Sequence, residues 1–219
     1  MFHVIFQVKT SPAGHQTYLD TAARLRPMLD EVRGFVSIER FRSLERDGWL
    51  LSLSKWADEA ALVKWRTVPE HHAAQEAGRN GVFSDYRLRV GQVASLARPD
   101  RSEWMPQRRT PYREAQGPAR FASVAELDER ACDDLPPARE ADDSEWYESL
   151  TNPGNYALAL GWPNEDSARR WHRRACAALT GSTAAVFELS LTELERDYGL
   201  VAREEAPQYY PPVDGHDQD

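Results

Sequence analysis

The stretch FRSLERDGWLLSLSKW, residues 41–56, is matched without a gap by YESLTNPGNYALALGW, residues 147–162. An aromatic ring stands at Phe41 and Tyr147, Ser-Leu at 43–44 and 149–150, glycine at Gly48 and Gly154, and tryptophan at Trp56 and Trp162. Each copy reads as strand, turn and strand, so the chain carries one hairpin twice. The repetition extends outward. The spacing from Trp56 to Trp65 recurs from Trp162 to Trp171, and YRLRVGQV (86–93) is matched by FELSLTEL (187–194). A chain of 219 residues has room for two such units of about 100 residues each.

The first unit is the clearer one. Residues 2–9 alternate Phe2, Val4, Phe6 and Val8 against His3, Ile5, Gln7 and Lys9, the pattern of a half-buried strand. Tyr18, Ala22, Leu25, Leu29 and Val32 recur at helical spacing over about 15–32, and Gly34 ends that helix. Strands follow at 35–44 and 49–56, with a turn around Asp47-Gly48. Asp58 then caps a second helix, which Pro69 breaks and which resumes at 70–78. A strand over 83–95 completes the order β-α-β-β-α-β, the ferredoxin-like split βαβ. The second unit repeats this in eroded form. A strand near 120–126 leads into an acidic, Pro-containing stretch (127–143) instead of a full helix. The hairpin at 144–162, a helix at 165–179 and a strand at 185–194 follow. The predicted fold is α+β, two ferredoxin-like repeats in a dimeric-α+β-barrel-type architecture with a degenerate second repeat. Its expected divisions are 1–96, a Pro/Arg-rich linker at 97–119, 120–206 and a flexible tail at 207–219.

Duplication answers a problem of surface. A ferredoxin-like sheet has helices on one face only, and something must cover the other. A second copy does this within one chain, as an intramolecular pseudo-dimer, and pairing with another chain stays open. Two sheets packed in this way form a barrel, whose interior or mouth is where a pocket is expected. The two hairpins differ there. Leu50, Ser52, Ser54 and Trp56 share one face in the first, and Tyr156, Leu158, Leu160 and Trp162 share it in the second, opposite small Ala157, Ala159 and Gly161. If Trp49, Leu51 and Leu53 pack under the helices, the serine face looks into the barrel. The first half then keeps an open pocket and the second serves as a structural lid.

Bulk properties exclude several classes. Net charge is −8 with scattered arginines, which argues against nucleic acid. No apolar run approaches the roughly 18–20 residues of a membrane span. The alternating N-terminus lacks the features of a signal peptide. Cys132 and Cys176 give neither a disulfide framework nor metal-ligand spacing. A cytoplasmic protein with no metal site is expected.

The segment FRSLERDGWLLSLSKWADEAALVKWRTVPEHHAAQEAGR (41–79), the following VFSDYRLRV (82–90) and the closing ERDYGLVAREEAP (195–207) resemble the antibiotic biosynthesis monooxygenase family. The resemblance runs over about 1–95 and, more weakly, 145–207. It implies an enzyme that oxidises an aromatic or phenolic small molecule of secondary metabolism with dioxygen. The quinone-forming members need no cofactor, because the substrate is its own reductant. Trp65 matches the family's functional tryptophan, an indole N–H on an apolar plate. Four residues earlier, Ala61 stands where those members carry asparagine. Haem-degrading relatives place a histidine where this chain has Gln75, so haem ligation would fall to His71 or His72.

The candidate catalytic residues are therefore Trp65, His71, His72 and Tyr86. The histidines are candidates because imidazole titrates near neutrality, and adjacent helical positions point about 100° apart, so only one can serve a given site. Tyr86 shares a strand face with Leu88 and Val90 and can donate to a substrate oxygen. The candidate substrate-binding residues are Gln7, Arg40, Ser52, Ser54 and Trp56. Two alternatives stay open: a non-catalytic small-molecule-binding or interaction protein on the same fold, and a haem-binding relative.

Overall fold

A computed structural model describes residues 1–98, 101–104, 120–180 and 186–207. Most of the expected linker and nearly all of the expected tail lie outside the described residues. Nine strands and four helices are present among those described: β1 (Phe2–Thr10), α1 (His15–Asp30), β2 (Phe35–Ser43), β3 (Trp49–Trp56), α2 (Glu59–Thr67), α3 (Pro69–Ala77), β4 (Phe83–Arg98), β5 (Arg101–Trp104), β6 (Arg120–Asp128), β7 (Asp143–Ser149), β8 (Asn155–Trp162), α4 (Glu165–Thr180) and β9 (Val186–Gly199). The first helix of the second repeat is reduced to a 3-10 turn, Glu129–Asp134, capped by Asp128. Gly48 and Gly154 take positive φ (74° and 87°) at matching places in the two hairpins, which is why glycine recurs there.

All neighbouring strands pair antiparallel, in the order β1-β3-β2-β7-β8-β6-β9-β4, and β4 pairs back with β1. Eight strands thus close a barrel, and β5 pairs with the far end of β4. Two seams join the repeats. The β2–β7 seam is short, from Phe41↔Ser149 to Ser43↔Tyr147, and the β4–β9 seam is long, from Arg87↔Gly199 to Ala97↔Leu189. The helices lie outside this barrel.

Alternation sends one side chain of each pair inward. A belt inside the barrel joins Ile5, Phe41, Leu51 and Leu53 of the first repeat to Ala122, Val124, Tyr147, Ala157, Ala159 and Leu194 of the second. The small residues of β8 make room for Phe41 and Tyr147. Each fully buried leucine contributes about 2 kcal/mol of apolar burial. Polar clusters close the belt on either side. On one side Lys55 pairs with Glu126 and Glu188 beside the fully buried His3. On the other, Arg89 donates to Gln7 Oε1 at 2.8 Å, and Gln7 Nε2 donates to Tyr147 at 2.6 Å. Arg46 and Ser43 hold Glu145, and Arg87 holds Asp143 and Asp197.

This reverses one expectation. Leu51 and Leu53 face the barrel, and the serine face lies under the helices. The barrel interior is packed, so the pocket expected there is elsewhere. Among the described residues no helix is long and apolar enough to cross a membrane.

Candidate functional site

The site begins at the break between α2 and α3. Asp58 caps α2 by accepting from the Ala61 N–H at 2.9 Å. Pro69 pushes Val68 to extended ψ (126°), so the helix stops. The last-turn carbonyl of Trp65 accepts from the Val68 N–H at 3.2 Å but lacks the donor that proline does not carry at position 69. The same oxygen, Trp65 O, accepts from His71 Nδ1 at 3.0 Å. The two rings then stack, with centroids 4.4 Å apart and 17° between planes. A carbonyl can only accept, so His71 Nδ1 carries the proton and Nε2 keeps a lone pair. Burial lowers the His71 pKa to about 4, with the Trp65 carbonyl opposing and His72 adding to the shift, so the ring is neutral at physiological pH.

Trp65 and His71 line a cavity of about 470 Å³ between α1, α2, α3 and the outer face of the first repeat's sheet. That size suits a small organic ligand. Val4, Phe6, Leu25, Leu29, Ile38 and Val90 supply apolar walls, while Ser52, Ser54, Trp56 and Arg40 lie along the sheet floor. Trp56 Nε1 donates to Ser54 Oγ at 3.0 Å, so that indole is already engaged. Trp65 Nε1 has no hydrogen-bond partner among the described residues.

The second repeat fills the equivalent space. Leu158, Leu160 and Trp162 pack against Trp171, Ala175 and Leu179. Trp171, which matches Trp65 in the repeat, donates its N–H to Pro136 O at 2.9 Å. The second repeat is more than a lid, however. Through the β4–β9 seam, Leu88↔Tyr198 and Val90↔Arg196, it brings Tyr198 and Arg196 to the cavity wall. Burial, then neighbouring Tyr86, push the Tyr198 phenol up to about 12, so it stays a donor.

Of the candidates, Arg40, Ser52, Ser54, Trp56, Trp65 and His71 come together at this cavity. Gln7, His72 and Tyr86 do not. Gln7 belongs to the inward set of β1 with His3 and Ile5, and it is spent on Arg89, Glu145 and Tyr147 inside the barrel. His72 faces Glu76 one helical turn on, at 3.9 Å. Tyr86 is buried behind Phe6 and Phe83, and its hydroxyl accepts from Arg203 at 2.5 Å. Tyr18, Glu59, Arg66, Arg196 and Tyr198 line the cavity without having been singled out in the sequence. For Tyr198 a signal existed in the ERDYGL motif; the seam that carries it across has none. Ala61, which stands at the place of the quinone-forming members' asparagine, packs against Gly34: a Cβ on Gly34 would lie only 2.7 Å from the Ala61 methyl. Gln75 lines the cavity at the place of the haem relatives' histidine. Among the described residues no group of three or more His, Cys, Asp or Glu side chains is placed to hold a metal ion.

Comparisons with known proteins bear on this geometry. The sequence model for antibiotic biosynthesis monooxygenase matches residues 1–77. A Pyricularia oryzae protein named jasmonate monooxygenase ABM is 37% identical over 227 residues, covering 97% of this chain and 100% of that one. The uncharacterized protein YqjZ of Bacillus subtilis is 36% identical over 76 residues, 35% of this chain and 65% of that one. Among solved structures, an anthrone oxidase-like protein aligns over 94% of this chain and 96% of its own, at 12% identity and a TM-score of 0.39. A likeness at that score carries no weight for function.

Proposed function

This chain belongs to the antibiotic biosynthesis monooxygenase family and is a monooxygenase, and we propose that it oxidises a small, largely apolar molecule held in the cavity under α1, α2 and α3. The observation that carries this reading is the contrast between matching tryptophans. Trp171 spends its N–H on a backbone carbonyl in a filled core, whereas Trp65 keeps its N–H at the wall of an open one.

The residues support a defined division of work. Trp65 offers a flat plate and a donor to an oxygen of the substrate. His71 Nε2 receives a proton, since its Nδ1–H is committed to Trp65 O. Tyr198, Ser52 and Arg40 are further donors. The apolar walls exclude water from an electron-rich anion as it meets dioxygen. For a phenol with a free para position the reaction balances without a further reductant. The phenol gives four electrons and its hydroxyl and ring hydrogens to dioxygen; one oxygen atom becomes the new quinone carbonyl and the other leaves as water. No metal, flavin or haem enters this scheme.

The relative named jasmonate monooxygenase favours a second reading, in which the substrate is a carboxylate with no phenol. Inserting one oxygen atom into a C–H bond then needs two electrons and two protons from an external reductant. Oxygen uptake separates the two. Turnover of 1-naphthol to its quinone with no reductant, one dioxygen consumed per quinone formed, supports the first, and turnover of jasmonate only with added NADPH or ascorbate supports the second. In either case Trp65→Phe is expected to lower turnover at least tenfold with an unchanged circular dichroism spectrum. Undiminished turnover would remove Trp65 from the site. A Soret band in the purified protein would replace the scheme with a haem-based one.

A further inference from the structure

We infer that Arg40 is the specificity-determining anchor of this cavity and that it receives the substrate's anionic head, a carboxylate or a phenolate oxygen. The inference rests on the cavity being the substrate site, as proposed above. Arg40 sits on β2 directly across from Ser52 of β3, on the sheet floor. Its Nε is buried and has no hydrogen-bond partner among the described residues, and its side chain forms no ion pair with any of them.

Other arginines on or beside the barrel strands have carboxylate partners. Arg42, two residues on, pairs with Glu148; Arg87 with Asp143 and Asp197; Arg98 with Glu188; and Arg46 with Glu145. A buried donor left without an acceptor is destabilising, and a ligand that brings an acceptor removes the deficit. The surroundings favour an anion as that ligand. Arg24, Arg26, Arg66 and Arg196 line the same cavity, and Glu59 is the only carboxylate among its described lining residues. Guanidinium offers a planar fork that matches a carboxylate in two parallel hydrogen bonds and a phenolate in one. Lysine keeps the charge but loses the fork.

The test uses matched probes on the full chain, read by calorimetry and by quenching of tryptophan fluorescence. The probes are 1-naphthoate, its methyl ester, and 1-naphthol measured below and above its ionisation. Wild-type protein is expected to bind naphthoate ten- to a hundredfold tighter than the ester. Arg40→Gln should erase that difference by weakening the anion alone, and Arg40→Lys should restore part of it. If naphthol tightens on ionising and loses this gain in Arg40→Gln, the anchor accepts phenolate; if only naphthoate depends on Arg40, it accepts carboxylate. Naphthoate bound no more tightly than the ester, or a preference that survives Arg40→Gln, overturns the assignment. So does an equal loss for acid and ester, which would mark a structural role. Ala74→Trp, which fills the cavity from α3, tests the underlying reading separately. Probes that still bind this variant refute the cavity as the site. Probes that it blocks but that ignore Arg40 refute the anchor only.

Discussion

His71 shows how a helix break can make a base. Because Pro69 brings no N–H, the Trp65 carbonyl has room for a second donor beside the Val68 N–H. It fixes the imidazole proton on Nδ1, and stacking on the indole holds the ring at the cavity wall. With its pKa lowered to about 4, the ring gains a proton only when the pH falls through that value. The sign follows: kcat/KM rises with pH through about 4 and is flat from 5 to 8 with respect to this group. An acid limb near 6.5 would show that the ring is solvated rather than buried. His71→Gln is expected to lower kcat about a hundredfold while changing KM only a few-fold, as loss of a proton acceptor should. An equal effect on KM would make it a binding residue instead. Of the two adjacent histidines, helical spacing established that one at most could serve the site. Which one was decided by a carbonyl that no sequence pattern marks.

The hairpins carry the same lesson at the scale of elements. Their alternation was legible, and so was the contrast between a serine face and a leucine face. The direction of each face was not, because in this barrel both are covered, one by helices and the other by the opposite repeat. Parity tells which side chains share a face and says nothing of what lies beyond it. A cue was nevertheless present in β8. Ala157 and Ala159 share the belt with bulky Phe41 and Tyr147, and a Cβ on Gly161 would run into Asp143 on the neighbouring strand and Arg89 beyond it, so large against small is what this packed interior requires. Gln7 was misassigned for the same reason: it is polar and within a strand, but on the inward side. Ala159→Leu should overpack this belt, costing about 1–3 kcal/mol and lowering the urea midpoint with an unchanged m value. Tolerance of that leucine would mean that the barrel holds unfilled space.

The barrel also makes the two repeats one thermodynamic object. Its apolar belt draws residues from both, and two seams tie their strands, so neither half has a complete core without the other. Unfolding is therefore expected as a single transition, coincident by fluorescence and circular dichroism. The charge economy of the interior sets its pH dependence. Burial lowers His3 to about 3, with Lys55 adding to the effect and Glu188 opposing it. Burial likewise lowers His172, on the buried face of α4, to about 4, with Arg169 adding to the shift. The unfolded chain takes up protons on these imidazoles from about pH 6.5 downward, and the folded one does not until pH 3–4. Stability is thus full above 6.5 and declines as the pH falls toward 4, on the order of 2 kcal/mol per buried histidine at pH 5. Asp143, Glu145 and Glu188, held below their ordinary values in the fold despite burial, add a separate loss below about 4.5. Urea unfolding at pH 7.5, 6 and 5 should therefore show a steadily lower midpoint while remaining one transition. His172→Gln should flatten this slope without splitting the transition. A stability that does not change between pH 7.5 and 5 would mean that the imidazoles already carry their protons inside the folded chain. Two resolved transitions would mean that the belt does not bind the halves together.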